Sequence, residues 1–470
     1  MLFNFGPLFR QYALVIAVNL NLLSTGLALA WTSPVLVKLR NETDNPLPEP
    51  ITEDQGSWIV SIGFIFGGMA YFVCGYFVNN FGRKYTLIFA ALPKLIGFLF
   101  LTFANSVWML YFGRSALGFS DAFTFTVVPM YASEVASKEV RGSLGTILQI
   151  VCSAGIVTMF CLGPFINYYT LNIICSCVVV AAVIPVLFVP VSPYFLYTKG
   201  RKDEALRVLK SLRTTEQQAK EEILEYEQMN NSEDVKLRDL LKSKAVVKAL
   251  AIVIVIGIGS QATGYNAVQF YLQTILESTK TSVSSELASV VVGCIQLFAS
   301  LCTITITDRF GRKPIICCSL TGISIGLIGL GAFFKLREIG YPITGFLQYL
   351  PLLSVIIVVF FYSAGLGSLM WPLLSELFDG QARALGMSVG LLSSVTCIFL
   401  STRFFAPLTL AIGPAATYWV FSVNSLIFCL FILFCVPETK GRSFVEIQEV
   451  LGGKMRNRKQ CDEKLEDVKS

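Results

Sequence analysis

Long apolar runs separated by short polar clusters dominate the chain. Runs of about 20 mostly apolar residues are long enough for a helix to cross the hydrocarbon core of a bilayer. They recur near 12–33, 57–78, 86–104, 107–131, 143–163 and 171–190, and again near 248–272, 286–307, 314–334, 348–374, 385–408 and 416–436. Within lipid a single segment satisfies its own backbone hydrogen bonds only as a helix. The pattern therefore predicts an all-α membrane protein with twelve transmembrane helices. Residues 1–11 are too short and too weakly charged for a cleavable signal, so the first run is read as a retained span. Between 191 and 247 the apolar pattern stops. There, 203–209 and 235–241 space their apolar residues as short amphipathic helices. The tail after Gly452 is charged and has no aromatic residue, which predicts disorder.

The polar punctuation repeats. Gly82-Arg83-Lys84 after the second run returns as Gly311-Arg312-Lys313 after the eighth. Ser133-Glu134 followed by Arg141 returns as Ser375-Glu376 followed by Arg383. Thr198-Lys199-Gly200-Arg201 returns as Thr439-Lys440-Gly441-Arg442. The chain thus reads as two pseudo-symmetric six-helix bundles, 1–190 and 248–436, joined by a cytoplasmic linker, 191–247, and followed by a cytoplasmic tail, 437–470. Two bundles around a central site are the architecture of a rocking carrier.

Charge orients the spans. Most of the 37 lysines and arginines fall on the side shared by both termini and the linker. The opposite side holds only Lys38, Arg40, Lys280, Lys335, Arg337 and Arg403. By the positive-inside rule both termini are cytoplasmic. Asn41-Glu42-Thr43 then lies in an outer loop and is a glycosylation acceptor.

Composition narrows the chemistry. The chain is 54% hydrophobic and 14% charged, with a mean hydropathy of +0.65 and no histidine. A soluble chain carries about a quarter charged residues. Without histidine there is no Ser-His-Asp triad, HExxH metal site or histidine proton relay. The 13 cysteines form no CxxC pair and sit mostly in apolar runs, as small membrane-core residues. No Gly-rich phosphate loop lies outside the spans, so no enzyme, catalytic residue, cofactor or metal is expected. The net charge of +6 is accounted for by cytoplasmic-facing residues, so nucleic acid is not an expected partner. The partners expected are a small solute and the lipid bilayer, with no obligate protein partner evident.

The motifs carry a resemblance. They are Gly75 with Gly82-Arg83-Lys84; Gly113-Arg114 with Gly118; Pro129-x-Tyr131-x-x-Glu134; and Arg141-Gly142-Ser143-Leu144-Gly145-Thr146 with Gln149. In the second half come Gln261-x-x-Gly264-x-Asn266-Ala267-Val268, Asp308-Arg309-Phe310-Gly311-Arg312-Lys313 and Pro437-Glu438-Thr439-Lys440-Gly441-Arg442. In this order and spacing the set resembles the sugar porter family of the major facilitator superfamily along essentially the whole chain. Ala30-Trp31-Thr32-Ser33-Pro34 and Ser57-Trp58 look like its insect facilitated trehalose transporter branch, beside the facilitative glucose transporters.

The resemblance implies a site for a neutral sugar. Such a site needs amides and hydroxyls that both donate and accept, and a flat aromatic face, but no charge. Gln149, Gln261, Asn266, Gln296 and Trp371 match family positions that contact the sugar, and Tyr271 matches the outer-gate tyrosine. Singly, an intramembrane amide is more often interhelical packing glue. Gln261 and Asn266 are five residues apart, about 140° around a regular helix, so they share a cavity only if the helix unwinds near Gly257, Gly259 or Gly264. A similar break is expected in span 10 at Gly365, Gly367 and Pro372. Ser363, Ser368, Met370, Ser394, Val395 and Ile398 depart from the glucose facilitators, leaving fewer polar groups in spans 10 and 11. Trehalose or a hexose such as glucose both remain open.

The remaining charges divide in two. Arg83, Glu134, Arg141, Asp308, Arg312, Glu376 and Arg383 lie at cytoplasmic helix ends, where the resemblance implies salt bridges that form an inner gate. Asn79 and Asn80 stand where the family carries Asp-Arg, which predicts a weaker N-half latch. Lys94, Arg114 and Asp121 lie inside spans, where charge demands a partner. Spans 3 and 4 are antiparallel neighbours and Lys94 and Asp121 match in depth, so an ion pair is expected. Proton-coupled relatives carry an aspartate in span 1 beside the span 4 arginine; here that position is Ala28. The expectation is facilitated diffusion at the plasma membrane by alternating access. A proton-coupled symporter is the alternative, and a transport-inactive sensor is disfavoured by the short tail.

Overall fold

The computed structural model describes residues 6–41, 44–137, 140–231, 244–280, 283–378 and 380–440, with the side chains at 141–143, 145–146, 228–231, 244–245, 304–309, 375 and 380–384 outside the description. Among the described residues every regular element is a helix. Span 1 is Pro7–Ala30 continued by Thr32–Arg40, and spans 2 and 3 share Glu53–Thr102. Val107–Val135, Arg141–Leu162 and Tyr168–Phe188 are spans 4 to 6. Span 7 is Lys244–Ala262, Tyr265–Phe270 and Leu272–Thr279; spans 8 and 9 are Ser285–Arg309 and Arg312–Glu338. Span 10 is Leu350–Phe361, Tyr362–Leu366 and Gly367–Glu376, and Gly380–Ile412 and Pro414–Cys435 complete the twelve.

Nine helical segments among the described residues are long and apolar enough to cross a bilayer by that test alone. Glu53–Thr102 counts once among them but crosses twice. A straight helix of its 50 residues would be about 75 Å long, more than twice the hydrocarbon thickness. Instead, Gly82 adopts φ 79° and ψ 173° and turns the chain back. The packing proves the hairpin: a Cβ on Gly63 would lie 2.9 Å from Arg114 O, and one on Gly97 2.9 Å from Gly113 O. Residues 34 apart in sequence therefore touch the same stretch of span 4. Span 4 is not counted among the nine; Arg114, Asp121 and Glu134 lower its mean hydropathy.

Small residues bring the spans together, as expected where lipid tails compete for every apolar contact. A Cβ on Gly26 of span 1 would stand 2.2 Å from Cys152 O of span 5, and one on Gly155 2.2 Å from Leu23 O. The described cysteines are all free thiols. Between the halves, span 2 packs on span 11 and span 5 on span 8.

The predicted linker helix at 203–209 falls within Lys202–Leu212, while 235–241 and the tail beyond 440 lie outside the described residues. Two further helices, Pro193–Thr198 and Glu216–Asn231, were not foreseen. Ala219 and Tyr226 of the latter are buried with Leu196, Tyr197, Ala205 and Leu209, and Ile223 packs against them. That i, i+4, i+7 stripe was legible. The linker is docked rather than merely solvated. Gln11 Nε2 donates to Leu212 O at 2.7 Å, and Arg213 Nη1 donates to Val135 O at 2.8 Å while its Nε meets Glu222 at 2.7 Å.

Candidate functional site

Span 7 breaks where its glycines allowed. Lys244–Ala262 ends, Gly264 takes φ +77°, and the helix resumes at Tyr265. Positive φ favours glycine, and a Cβ there would also meet the Phe421 ring at 2.5 Å. The break swings Asn266 back so that its Nδ2 donates to Gln261 Oε1. Gln261 is buried and Asn266 half-buried. Tyr271 sits at the second joint of the span, its hydroxyl donating to Thr402 O at 3.3 Å and its ring 5.0 Å from that of Phe405.

Span 10 does not break. It widens into a π turn at Tyr362–Leu366 and runs on through Pro372. The widening frees backbone groups, and a neighbouring helix satisfies them: Ser319 Oγ donates to Phe361 O at 2.6 Å and accepts from Leu366 N at 3.1 Å. Such turns concentrate at functional sites. Tyr362 stacks flat on Tyr265, with centroids 3.4 Å apart, so the π turn and the span 7 break abut.

Ser153 of span 5 meets Ser300 of span 8 at 3.0 Å. Gln149 and Gln296 each lie one helical turn from these serines, on opposite sides of the contact. Gln296 is buried with Oε1 lacking a hydrogen-bond partner among the described residues. Trp371 remains 39% exposed.

At one end of the helices each half builds the same trio. Arg83 Nη2 lies 2.6 Å from Glu134 Oε1, and Ser192 Oγ donates to the other carboxylate oxygen. Arg312 Nη2 lies 3.2 Å from Glu376 Oε1, and Thr439 Oγ1 donates to its Oε2. The N-half pair is the shorter and more buried, contrary to the weaker latch expected from Asn79 and Asn80. The side chains of Arg141, Asp308 and Arg383 lie outside the described residues.

These contacts correct the third repeat. The matching pieces are Val189-Pro190-Val191-Ser192 and Val436-Pro437-Glu438-Thr439, since Ser192 and Thr439 do the same work. Thr198 instead bonds Phe195 O within its own helix. Glu438 has a task of its own. Its carboxylate accepts from Arg312 N at 3.0 Å and Lys313 N at 3.1 Å, plugging the positive N-terminus of span 9. Burial works to raise its pKa, but these amides and those of Thr439 and Lys440 hold the carboxyl below its ordinary value. A Cβ on Gly311 would meet Glu438 Oε2 at 2.5 Å, which explains the glycine of Gly-Arg-Lys. The Val-Pro-x-Ser/Thr repeat was the available signal for Ser192 and Glu438.

The expected pair inside the membrane is present. Lys94 Nζ lies 2.9 Å from Asp121 Oδ1, with 2% of the lysine and 13% of the aspartate side chain exposed. The contact is ionic, since Asp121 Oδ1 accepts no hydrogen bond of directional geometry. Lys94 spends its protons on span 1 instead, donating to Thr25 Oγ1 at 2.6 Å and Ser24 Oγ at 3.3 Å. The register of Ala28 is also as expected: Arg114 Nη1 donates to Ala28 O at 2.8 Å and its Nε to Ile59 O at 3.1 Å. The Trp31 ring covers the guanidinium at 5.7 Å. Among the described residues no carboxylate lies within ion-pair distance of Arg114.

The two halves are tied together at the end of the helices that holds Ser33 and Asp54 and between spans 5 and 8. Thr32 Oγ1 donates to Phe270 O at 3.4 Å, Gln273 N to Ser33 Oγ at 3.1 Å, and Arg403 reaches Asp54 and Ser57. Asn41 is exposed at the C-terminal end of Thr32–Arg40, and Glu42 and Thr43 lie outside the described residues.

The sequence profile of the family described as "Sugar (and other) transporter" matches residues 12–451. The chain belongs to this family. It is a multi-pass membrane transporter, with the twelve-helix fold of the major facilitator superfamily. The chain is 31% identical over 454 residues to a facilitated trehalose transporter of Polypedilum vanderplanki, covering 96% of this chain and 89% of that one. It is 30% identical to a facilitated trehalose transporter of Apis mellifera ligustica, covering 95% and 89%. Among solved structures it resembles the inward open xylose transporter XylE of E. coli, with a TM-score of 0.79 at 21% identity, covering 94% of this chain and 99% of that one. The proton:xylose symporter XylE bound to 6-bromo-6-deoxy-D-glucose gives a TM-score of 0.75 at 21% identity, with coverage of 94% and 99%.

Proposed function

We propose that this chain is a uniporter that moves a neutral sugar, trehalose or a hexose such as glucose, down its gradient across the plasma membrane. Gln149, Gln261, Asn266, Gln296 and Trp371 supply the sugar contacts. The Gln261–Asn266 bond closes this part of the site when it is empty, and a sugar hydroxyl entering between the amides replaces it with two. Tyr271 forms the outer gate, and both termini are cytoplasmic. The relatives named as trehalose transporters favour the disaccharide as the first sugar to test.

The observation that carries the uniport reading is the surroundings of Arg114. A proton-coupled carrier needs a carboxylate that changes charge during the cycle. Here the span 1 position offers only the Ala28 carbonyl, and the one carboxylate at mid-depth in span 4 is matched by Lys94. Counterflow tests the reading: proteoliposomes preloaded with unlabelled trehalose or glucose take up the same labelled sugar, and Gln261→Ala lowers the rate at least about tenfold, the loss of roughly 1.4 kcal/mol. No counterflow with either sugar contradicts it.

The cytoplasmic trios form the inner gate in this proposal, and their weakening favours the state closed outside. Glu376→Gln is expected to slow the reaction of an outer-path cysteine, Ser33→Cys, with a membrane-impermeant thiol reagent. An unchanged rate would remove the Arg312–Glu376 pair from the gate.

A further inference from the structure

Arg403 projects from span 11, and among the described residues its polar partners belong to the start of span 2 in the other half. Its Nη2 lies 2.5 Å from Asp54 Oδ1, and its Nη1 donates to Ser57 Oγ at 2.7 Å. Its guanidinium carbon stands 4.7 Å from the Trp58 ring centroid. Two nitrogens of the planar fork meet two acceptors while its face lies over an aromatic ring. An isolated exposed ion pair contributes little, and Asp54 taken alone is such a partner at 64% exposure. The arginine differs, with only 14% of its side chain exposed and its serine partner fully buried.

Both ends of the contact are held. Asp54 and Ser57 lie in a helix start fixed by a capping box, in which Gln55 N donates to Thr52 Oγ1 and Thr52 N to Gln55 Oε1. On the other side, the residue before Arg403 is Thr402, whose carbonyl receives the hydroxyl of Tyr271. A single stretch of span 11 thus grips span 2 with a side chain and the outer segment of span 7 with a carbonyl. Both of these neighbours meet at the outer path.

We propose that Arg403 is the outer latch of the carrier. It holds the outward path shut, and opening that path requires it to leave Asp54, Ser57 and Trp58 together. This inference rests on the alternating-access part of the proposed function and not on the identity of the sugar. It makes Arg403 a positioning residue: it touches no substrate, and its removal changes how often the outer path opens.

Ser33 provides the readout. It is fully buried, at the closed contact between span 1 and span 7, and it meets external water only when that contact opens. The full-length Ser33→Cys protein in intact cells is treated with a charged, membrane-impermeant thiol reagent, with the chain bearing Ser33 as background. Adding Arg403→Ala is expected to raise the labelling rate about tenfold. Arg403→Lys keeps a charge for Asp54 but loses the fork and the stacked plane, so its rate falls between. Asp54→Asn and Trp58→Leu each raise the rate less than Arg403→Ala, and they carry the test if the alanine variant fails to reach the surface. An unchanged rate in folded Arg403→Ala, or in both substitute variants, overturns the latch. The labelling needs no sugar. A faster rate in a protein that moves neither trehalose nor glucose overturns the sugar reading and leaves the latch, whereas unchanged labelling in an active carrier overturns the latch alone.

Discussion

Lys94→Met is expected to destabilise the protein by about 3–5 kcal/mol, because it leaves the Asp121 carboxylate without its counter-charge at mid-depth in the membrane. The lysine is almost wholly enclosed and its ammonium is fully engaged, by Asp121 and by the hydroxyls of Ser24 and Thr25. It therefore ties spans 1, 3 and 4 at one level. Thermal unfolding of the purified protein in detergent measures the loss. The double variant Lys94→Met, Asp121→Asn should recover most of it, since burying neither charge costs far less than burying one. The charge exchange Lys94→Asp, Asp121→Lys should rescue either single reversal. Losses that merely add would show that the two residues act separately. The uncharged double variant also separates structure from coupling. If the pair is structural, that variant still moves sugar downhill; if Asp121 carries a proton in the cycle, it is stable and inactive.

Gly264→Ala is expected to lower counterflow by at least about tenfold. Left-handed backbone costs a residue with a Cβ roughly 1–2 kcal/mol, and the added carbon would press on the Phe421 ring at 2.5 Å. Relief by moving Gly264 parts Gln261 from Asn266, which share a hydrogen bond only because the helix is interrupted between them. Adding Phe421→Ala removes the clash but not the backbone strain, so it should restore the rate in part. Wild-type rates in Gly264→Ala alone would show that the break is incidental to transport.

What could be read from the sequence follows from the range of the forces involved. Span lengths are set by the bilayer and were visible as apolar runs. Lys94 and Asp121 could be paired by counting residues from the cytoplasmic ends of two antiparallel neighbours. The span 7 break was legible because glycine tolerates a backbone that other residues resist. Span 10 looked similar, with Gly365, Gly367 and Pro372, yet became a π turn because Ser319 on another helix satisfies the freed backbone groups. No reading of span 10 alone contains that serine. The same holds for Glu438, whose function is to cap a helix more than a hundred residues earlier, and for Arg403, whose partners lie in the opposite half. The misaligned Thr-Lys-Gly-Arg repeat failed differently: an identity of four letters outweighed a looser match, Val-Pro-x-Ser/Thr, that shares the contact.

The most direct test of the account is sugar uptake by proteoliposomes under an imposed proton gradient. Labelled trehalose or glucose should enter until its internal concentration equals the external one, at the same level whether the vesicle interior is alkaline, matched or uncoupled. Accumulation above the external concentration that collapses with an uncoupler would contradict the uniporter and return Asp121 to the proton path.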